Sequence, residues 1–126
     1  MPLCTPIYDP AHAITGRATG AAVTGCRIAT QAATKPDGEP TPIKHCGATD
    51  QPLGAIADDT AQNDTVAVYK NGFACPVLAG GTGVTFGKAV EVMATGVIQD
   101  LASGTRCGLA LETGAAGTFP KIILQV

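Results

Sequence analysis

The chain has 126 residues, a formal net charge of −2, 14% charged residues, 4% aromatics and no Trp. That length suits one domain able to bury roughly two-thirds of its unfolded surface, and the lack of a basic patch argues against nucleic acid as a partner. No run approaches the roughly 18 apolar residues of a membrane-spanning helix, so no membrane partner is expected, and the apolar content, carried largely by small residues, predicts a thin core that partner subunits help to cover.

From Met1 to about Thr15 the chain carries Pro2, Pro6 and Pro10 and shows no alternation. Proline lacks a backbone donor and holds the preceding residue extended. Residues 1–15 are therefore expected to form an extended N-terminal arm, and residues 16–126 a single β domain. The start of the chain lacks a basic segment followed by an apolar one, so no secretory signal is expected. Val23 to Thr30 reads as the first strand region. Lys35 to Pro42 is a projecting loop, because Pro-Asp-Gly presets a turn.

Ile43 to Cys46 and Leu53 to Ala57 read as short strands, and Ala57 to Gln62 as one helical turn at most. Thr65 to Lys70 alternates, and Asn71-Gly72 after it predicts a type I′ hairpin with Phe73 to Leu78 as the return strand. Pro76 in that strand points to a sheet edge or a bulge. Lys88 to Val92 alternates again, Val97-Ile98 and Leu109 to Leu111 are further short strands, and Ile122, Leu124 and Val126 share one face.

These segments fall into two near-repeats, about 16–79 and 80–126. Val23-Thr24-Gly25 answers Val84-Thr85-Phe86-Gly87, and Arg27-Ile28-Ala29 answers Ala89 to Val92. Leu53 to Ala57 answers Cys107 to Leu111, with Gly54 and Gly108 at matching points, and Asp64 to Val68 answers Phe119 to Val126. The fold class is all-β, a small barrel or sandwich built from two similar β-units, with two four-strand units able to close into one barrel.

Enzyme chemistry fails on inventory. Ser103 is the only serine, and Ala102-Ser103-Gly104 is not a nucleophile elbow. His45 and Cys46 are adjacent, so on a strand they point to opposite faces, and His12 lies in the arm. The five cysteines, Cys4, Cys26, Cys46, Cys75 and Cys107, show no paired spacing; they read as reduced, buried small hydrophobes. Asp58, Asp59 and Asp64 lack the spacing of a calcium loop. Gly81 to Gly87 lacks the spacing and the following helix of a dinucleotide loop. No metal and no cofactor is expected.

The ordered set of segments resembles the small capsid decoration, or cement, proteins of tailed bacteriophages, particularly phages of actinobacteria. It is carried by Ile14-Thr15, Ala21 to Gly25, Ile43 to Ala48, Leu53 to Ala57, Val66-Ala67-Val68, Val84-Thr85-x-Gly87 and Gly108-Leu109-Ala110. The resemblance implies a non-enzymatic virion protein on the outer surface of the capsid, made in the bacterial cytoplasm. Its partners would be the major capsid protein and itself, as a homotrimer at threefold or quasi-threefold positions. The candidate capsid-contact residues are Pro2, Leu3, Pro6, Ile7, Tyr8 and Pro10 of the arm. Another virion β-module, such as a head-fibre base or tail component, and a small glycan-binding β-barrel are the alternatives.

Overall fold

A computed structural model describes residues 13–35 and 38–125. Its strands are β1 (Ala13–Ala18), β2 (Ile28–Gln31), β3 (Thr41–His45), β4 (Gly54–Ile56), β5 (Thr65–Tyr69), β6 (Ala74–Pro76), β7 (Ala89–Val92), β8 (Ile98–Asp100), β9 (Arg106–Ala110) and β10 (Lys121–Leu124). A 3-10 turn, Ala94–Gly96, joins β7 to β8. The protein is all-β, as its sequence implies.

The strands divide into two units with one strand order. The first runs β1-β3-β2-β4-β5 and closes into a barrel; the second runs β6-β10-β9-β7-β8 as an open sheet. Written from the same starting strand, the orders are β3-β2-β4-β5-β1 and β8-β7-β9-β10-β6, so strands one to five match strands six to ten. The details match too. β1 pairs in parallel with β3 through Ala18 and Ile43, and the second unit makes the same contact as a single parallel bridge between Ala79 and Ile98. The isolated bridge Val23 to Thr60 has its counterpart in Val84 to Gly114. Asn63 and Gly117, at matching turns, both have positive φ.

The duplication is therefore real, but its assembly differs from the expected one. Each unit has five strands, not four, and the two do not close into one barrel. β6 pairs with β10, so residues 74–79, placed in the first repeat by sequence, belong to the second unit. β1 begins at Ala13, so Ala13 to Thr15, assigned to the arm by sequence, are barrel residues. Val23 to Thr30 is mostly turn, with β2 starting only at Ile28.

Asn71-Gly72 makes no hairpin. β5 pairs with β1 and β4, and β6 pairs with β10. Phe73 N–H donates to Lys70 C=O at 3.2 Å, and of the two central residues only Gly72 has positive φ. That is the pattern of a type II turn, which splays the flanking strands, whereas type I′ needs positive φ at both positions. The turn sends the chain from one unit to the next. Pro76 does lie on an edge strand, where its missing donor is harmless.

Each unit has its own interior. Ala18, Val23, Ala29, Ile43, Ile56 and Val68 fill the first. Their register partners Ala79, Val84, Val90, Ile98, Ala110 and Ile122 fill the second. Gly16 keeps the first barrel narrow: a Cβ there would meet Ile43 Cδ1 at 2.9 Å and Val68 Cγ2 at 3.0 Å. Val77 stands at the equivalent point of the open unit. Ile28, Ala55 and Cys46 belong to the first unit yet pack into the core of the second, with Tyr69 alongside. These outward residues of the barrel wall cap the second unit's open end.

Gly54 and Gly108 prove equivalent, and each sits where a neighbouring strand passes closely. A Cβ at Gly108 would meet Ile123 O at 2.5 Å, and one at Gly54 would overlap Tyr69 O. A backbone oxygen in a ladder cannot retreat. Gly54→Ala and Gly108→Ala should each lower the unfolding free energy by about 1–3 kcal/mol or more in urea titrations. Gly117→Ala, with open space around it, should cost only about 1 kcal/mol for its positive φ.

Candidate interaction surface

The units diverge most in the turns that hold their ends. After Val23, Thr24 N–H donates to His45 Nε2 at 2.9 Å and Gly25 N–H donates to Asp59 Oδ1 at 2.8 Å. After Val84, Thr85 N–H donates to Asp100 Oδ1 at 2.8 Å and Phe86 N–H to Thr113 Oγ1 at 3.0 Å. His45 matches Asp100 and Asp59 matches Thr113 in register, so one pair of turn staples is made with different chemistry. Burial and then the nearby Arg27 charge hold His45 below its ordinary pKa, leaving a neutral imidazole able to accept.

The two buried polar residues among those described, Thr30 and Glu91, also occupy equivalent positions, each 6% exposed. Thr30 Oγ1 donates to Gln51 C=O at 2.8 Å. The Glu91 carboxylate receives Gln99 Nε2 at 2.7 Å and the Gly104 N–H, with the Ala102 and Ser103 N–H groups also contributing. The bulge near it places its extra residue, Cys107, on β9, and Glu91 stays on Ala89's face as the alternation implies, opposite Gln99, where the loop from Ala102 to Gly104 covers it. The Gln99 hydrogen bond and the loop N–H groups hold Glu91 below its ordinary 4.5 despite burial. Ser103 is thus part of a loop wrapped round a carboxylate.

Cys26, Cys46, Cys75 and Cys107 are free thiols. Burial, chiefly, pushes Cys46 and Cys75 up to about 11 and Cys107 up to about 12. Such thiols are poor nucleophiles. His45 faces the Thr24 turn while Cys46 is fully buried, so the two do not work as a pair. Among the described residues, no group of three or more His, Cys, Asp or Glu side chains is placed to hold a metal.

What the described residues offer is surface. A cleft of about 640 Å³ lies between the units, lined by Gly25, Cys26, Arg27 and Asp58 of the first and Leu78 and Phe119 of the second. A second groove, about 610 Å³, is formed by Ala13 to Thr15 against Gly38 to Thr41, with Lys35. The large exposed apolar side chains are Phe86 at 68%, Phe119 at 54%, Leu101 at 41% and Leu111 at 38%. All belong to the second unit. Composition and alternation do not single them out; the one signal in the sequence is Phe86, which stands where the first repeat has Gly25. Pro2, Leu3, Pro6, Ile7, Tyr8 and Pro10 lie outside the described residues, as do Cys4, His12 and Val126. Lys35 to Pro42 is described except for residues 36 and 37, and it connects β2 to β3. Its counterpart, residues 93–97, is shorter, as the repeat alignment implies.

No protein-family model matches the chain, and no curated protein matches it. Among solved structures it is similar to one described as the crystal structure of head fiber gp8.5 N base in bacteriophage phi29. The TM-score is 0.70 at 20% identity, over 90% of this chain and 92% of that one. The likeness is one of fold.

Two outcomes are expected of the buried groups. Because the folded state holds Glu91 below 4.5, its contribution is present above that pH and lost as pH falls through the folded-state value. Melting temperatures measured from pH 7 to pH 3 should therefore fall less steeply in Glu91→Gln, which should also be about 1–3 kcal/mol less stable at neutral pH. Alkylation with mass mapping at pH 8 should leave Cys46, Cys75 and Cys107 unmodified in the native protein and label them fully in denaturant.

Proposed function

We propose that this chain is a non-enzymatic structural protein of a tailed-phage virion, mounted on the outside of the head. The observation that carries this is the fold likeness to the base of a phage head fibre, which extends over nearly the whole of both chains. The resemblance of the ordered segments to capsid decoration proteins points to the same place. So does the distribution of residues: apolar side chains are displayed on loops, while Cys46, Cys75 and Cys107 are buried with raised pKa values.

As a decoration protein it would act by mass action. A protein that binds only the assembled lattice stabilises that lattice in proportion to its own affinity. A homotrimer at threefold or quasi-threefold positions would touch several capsid subunits at once, so that weak contacts combine through high effective concentration. The Pro-rich segment from Pro2 to Pro10 precedes β1 and is a candidate to add to a capsid sheet edge. The second reading, the base of a head fibre, is favoured by the description of the structural neighbour.

Purified protein mixed with heads that lack it should bind, raise the temperature at which they release DNA, and appear in a particle map as density at threefold junctions. Density continuing outward into a projecting fibre would favour the fibre base; density on a tail, or none on the head, would overturn the proposal. Deleting Met1 to His12, which leaves β1 whole, should weaken head binding at least about tenfold if the arm is a contact.

A further inference from the structure

Hydrogen bonds reinforce the apolar contact between the two units. Gly96 N–H donates to Cys46 C=O at 2.8 Å, Leu78 N–H to Cys26 C=O at 2.8 Å, and Arg27 Nη1 to Thr95 C=O at 3.2 Å. The first-unit partners lie in two segments distant in sequence: residues 24–27, ahead of β2, and His45-Cys46, at the end of β3. Backbone pairing joins these segments farther along, where Cys46 N–H donates to Ile28 C=O at 2.9 Å and Ala29 stands opposite His45. At their outer end a side chain joins them: His45 Nε2 accepts the Thr24 N–H at 2.9 Å. Residues 24–27 also line the cleft between the units.

An imidazole accepts a hydrogen bond only while it is neutral. With Nε2 accepting, the single ring proton sits on Nδ1; the imidazolium carries a proton on both nitrogens and would point one at the Thr24 N–H. The surroundings favour the neutral ring. Burial acts most strongly, and Arg27 adds its charge from the segment before β2. β2 presents uncharged Ala29. Lys44 on the same strand and Asp50 in the β3–β4 connection act on Cys46. In the β4–β5 connection Asp59 is taken up by the Gly25 N–H at 2.8 Å, with Asp58 beside it at the cleft. The β7–β8 connection, residues 93–97, carries no charged side chain. The matching turn of the second unit is an internal control. There Asp100 receives both the Thr85 N–H at 2.8 Å and Thr85 Oγ1 at 2.7 Å. A carboxyl group keeps an acceptor oxygen whether or not it is protonated. Of the two units, the first has a titrating ring in this place.

We propose that His45 is an acid-sensitive latch on the contact between the two units. Neutral, it ties residues 24–27 to the end of β3 and keeps together the groups that hold the second unit. Protonated, it loses the Thr24 N–H, sets a second positive charge beside Arg27, and loosens the strip to which Leu78, Thr95 and Gly96 are bonded. The folded state holds His45 below its ordinary 6.5, so the latch contributes above that pH and is lost as pH falls through the folded-state value. Its window begins at 6.5, whereas that of Glu91 begins at 4.5, so a titration separates them. The latch acts within one molecule and needs no head, so it stands or falls independently of the proposed function.

The test follows the full chain by NMR from pH 7 to pH 5, reading amide hydrogen exchange and the His45 imidazole resonance, assigned by its loss in His45→Asn. His45 should titrate below 6.5. Exchange at Thr24, Leu78 and Gly96, corrected for the intrinsic rate at each pH, should speed up at least about threefold over that range, while Thr85 stays unchanged. His45→Asp, which installs the second unit's acceptor beside Thr24, and His45→Asn, an acceptor that does not titrate, should abolish the acceleration. Titration of His45 at or above 6.5 would overturn the proposal. So would unchanged exchange at Leu78 and Gly96 as His45 titrates, or the same acceleration in a folded variant. The wild-type titration tests the coupling by itself, so a variant that fails to fold leaves the first two outcomes decisive.

Discussion

The structure depends on the contact between the barrel's outer wall and the open end of the second sheet. A five-stranded sheet that does not close leaves one end of its core facing water. Here Ile28, Ala55 and Cys46 fill that end, with Tyr69 beside them and stacked on Phe73 at a centroid distance of 4.4 Å. Fully burying a side chain such as Ile28 is worth about 1.5–3 kcal/mol. The same contact makes two small β-units into one body and gives each repeat a different role, one closed and one capped. It also explains why a chain with so few aromatics can be stable: each interior is small, but a third apolar layer lies between them.

Much of this was legible in the sequence. The pairing of Gly54 with Gly108, of Val23-Thr24 with Val84-Thr85, and of the long Lys35 to Pro42 loop with a shorter one all hold in the structure. They were legible because a repeat fixes the same turns and the same close backbone approaches twice, and glycines mark both. What escaped was the partition of strands between units. Asn-Gly after an alternating run looks the same whether the next strand returns along the first or leaves for another sheet. The choice is made by the partners of β6, which lie almost fifty residues further on, in β10. Closure of the first unit escaped for a similar reason, since it turns on the space left by Gly16 across the barrel.

The candidate surface was less legible than the fold. Exposure of Phe86, Leu101 and Leu111 has no periodic signature, because each lies at the end of a short strand. The repeat supplies the missing signal only when the units are compared position by position. Small or fully buried residues in the first unit, Gly25, Cys46 and Ala57, are then answered by large exposed ones in the second. Glu91 shows the same limit. Its alternation puts it on the outer face beside Gln99, but carries no sign that the loop from Ala102 to Gly104 folds over that face and buries it.

Among the described residues, the four-residue turn from Lys70 to Phe73 is the covalent link between two bodies that meet through a broad apolar contact. Gly72 N–H and Leu124 N–H tie that turn to the end of β10 rather than to β5. A polypeptide of this kind behaves as a tethered heterodimer. Expressed as two fragments divided at that junction, it has the makings of a split reporter whose halves find one another without a linker.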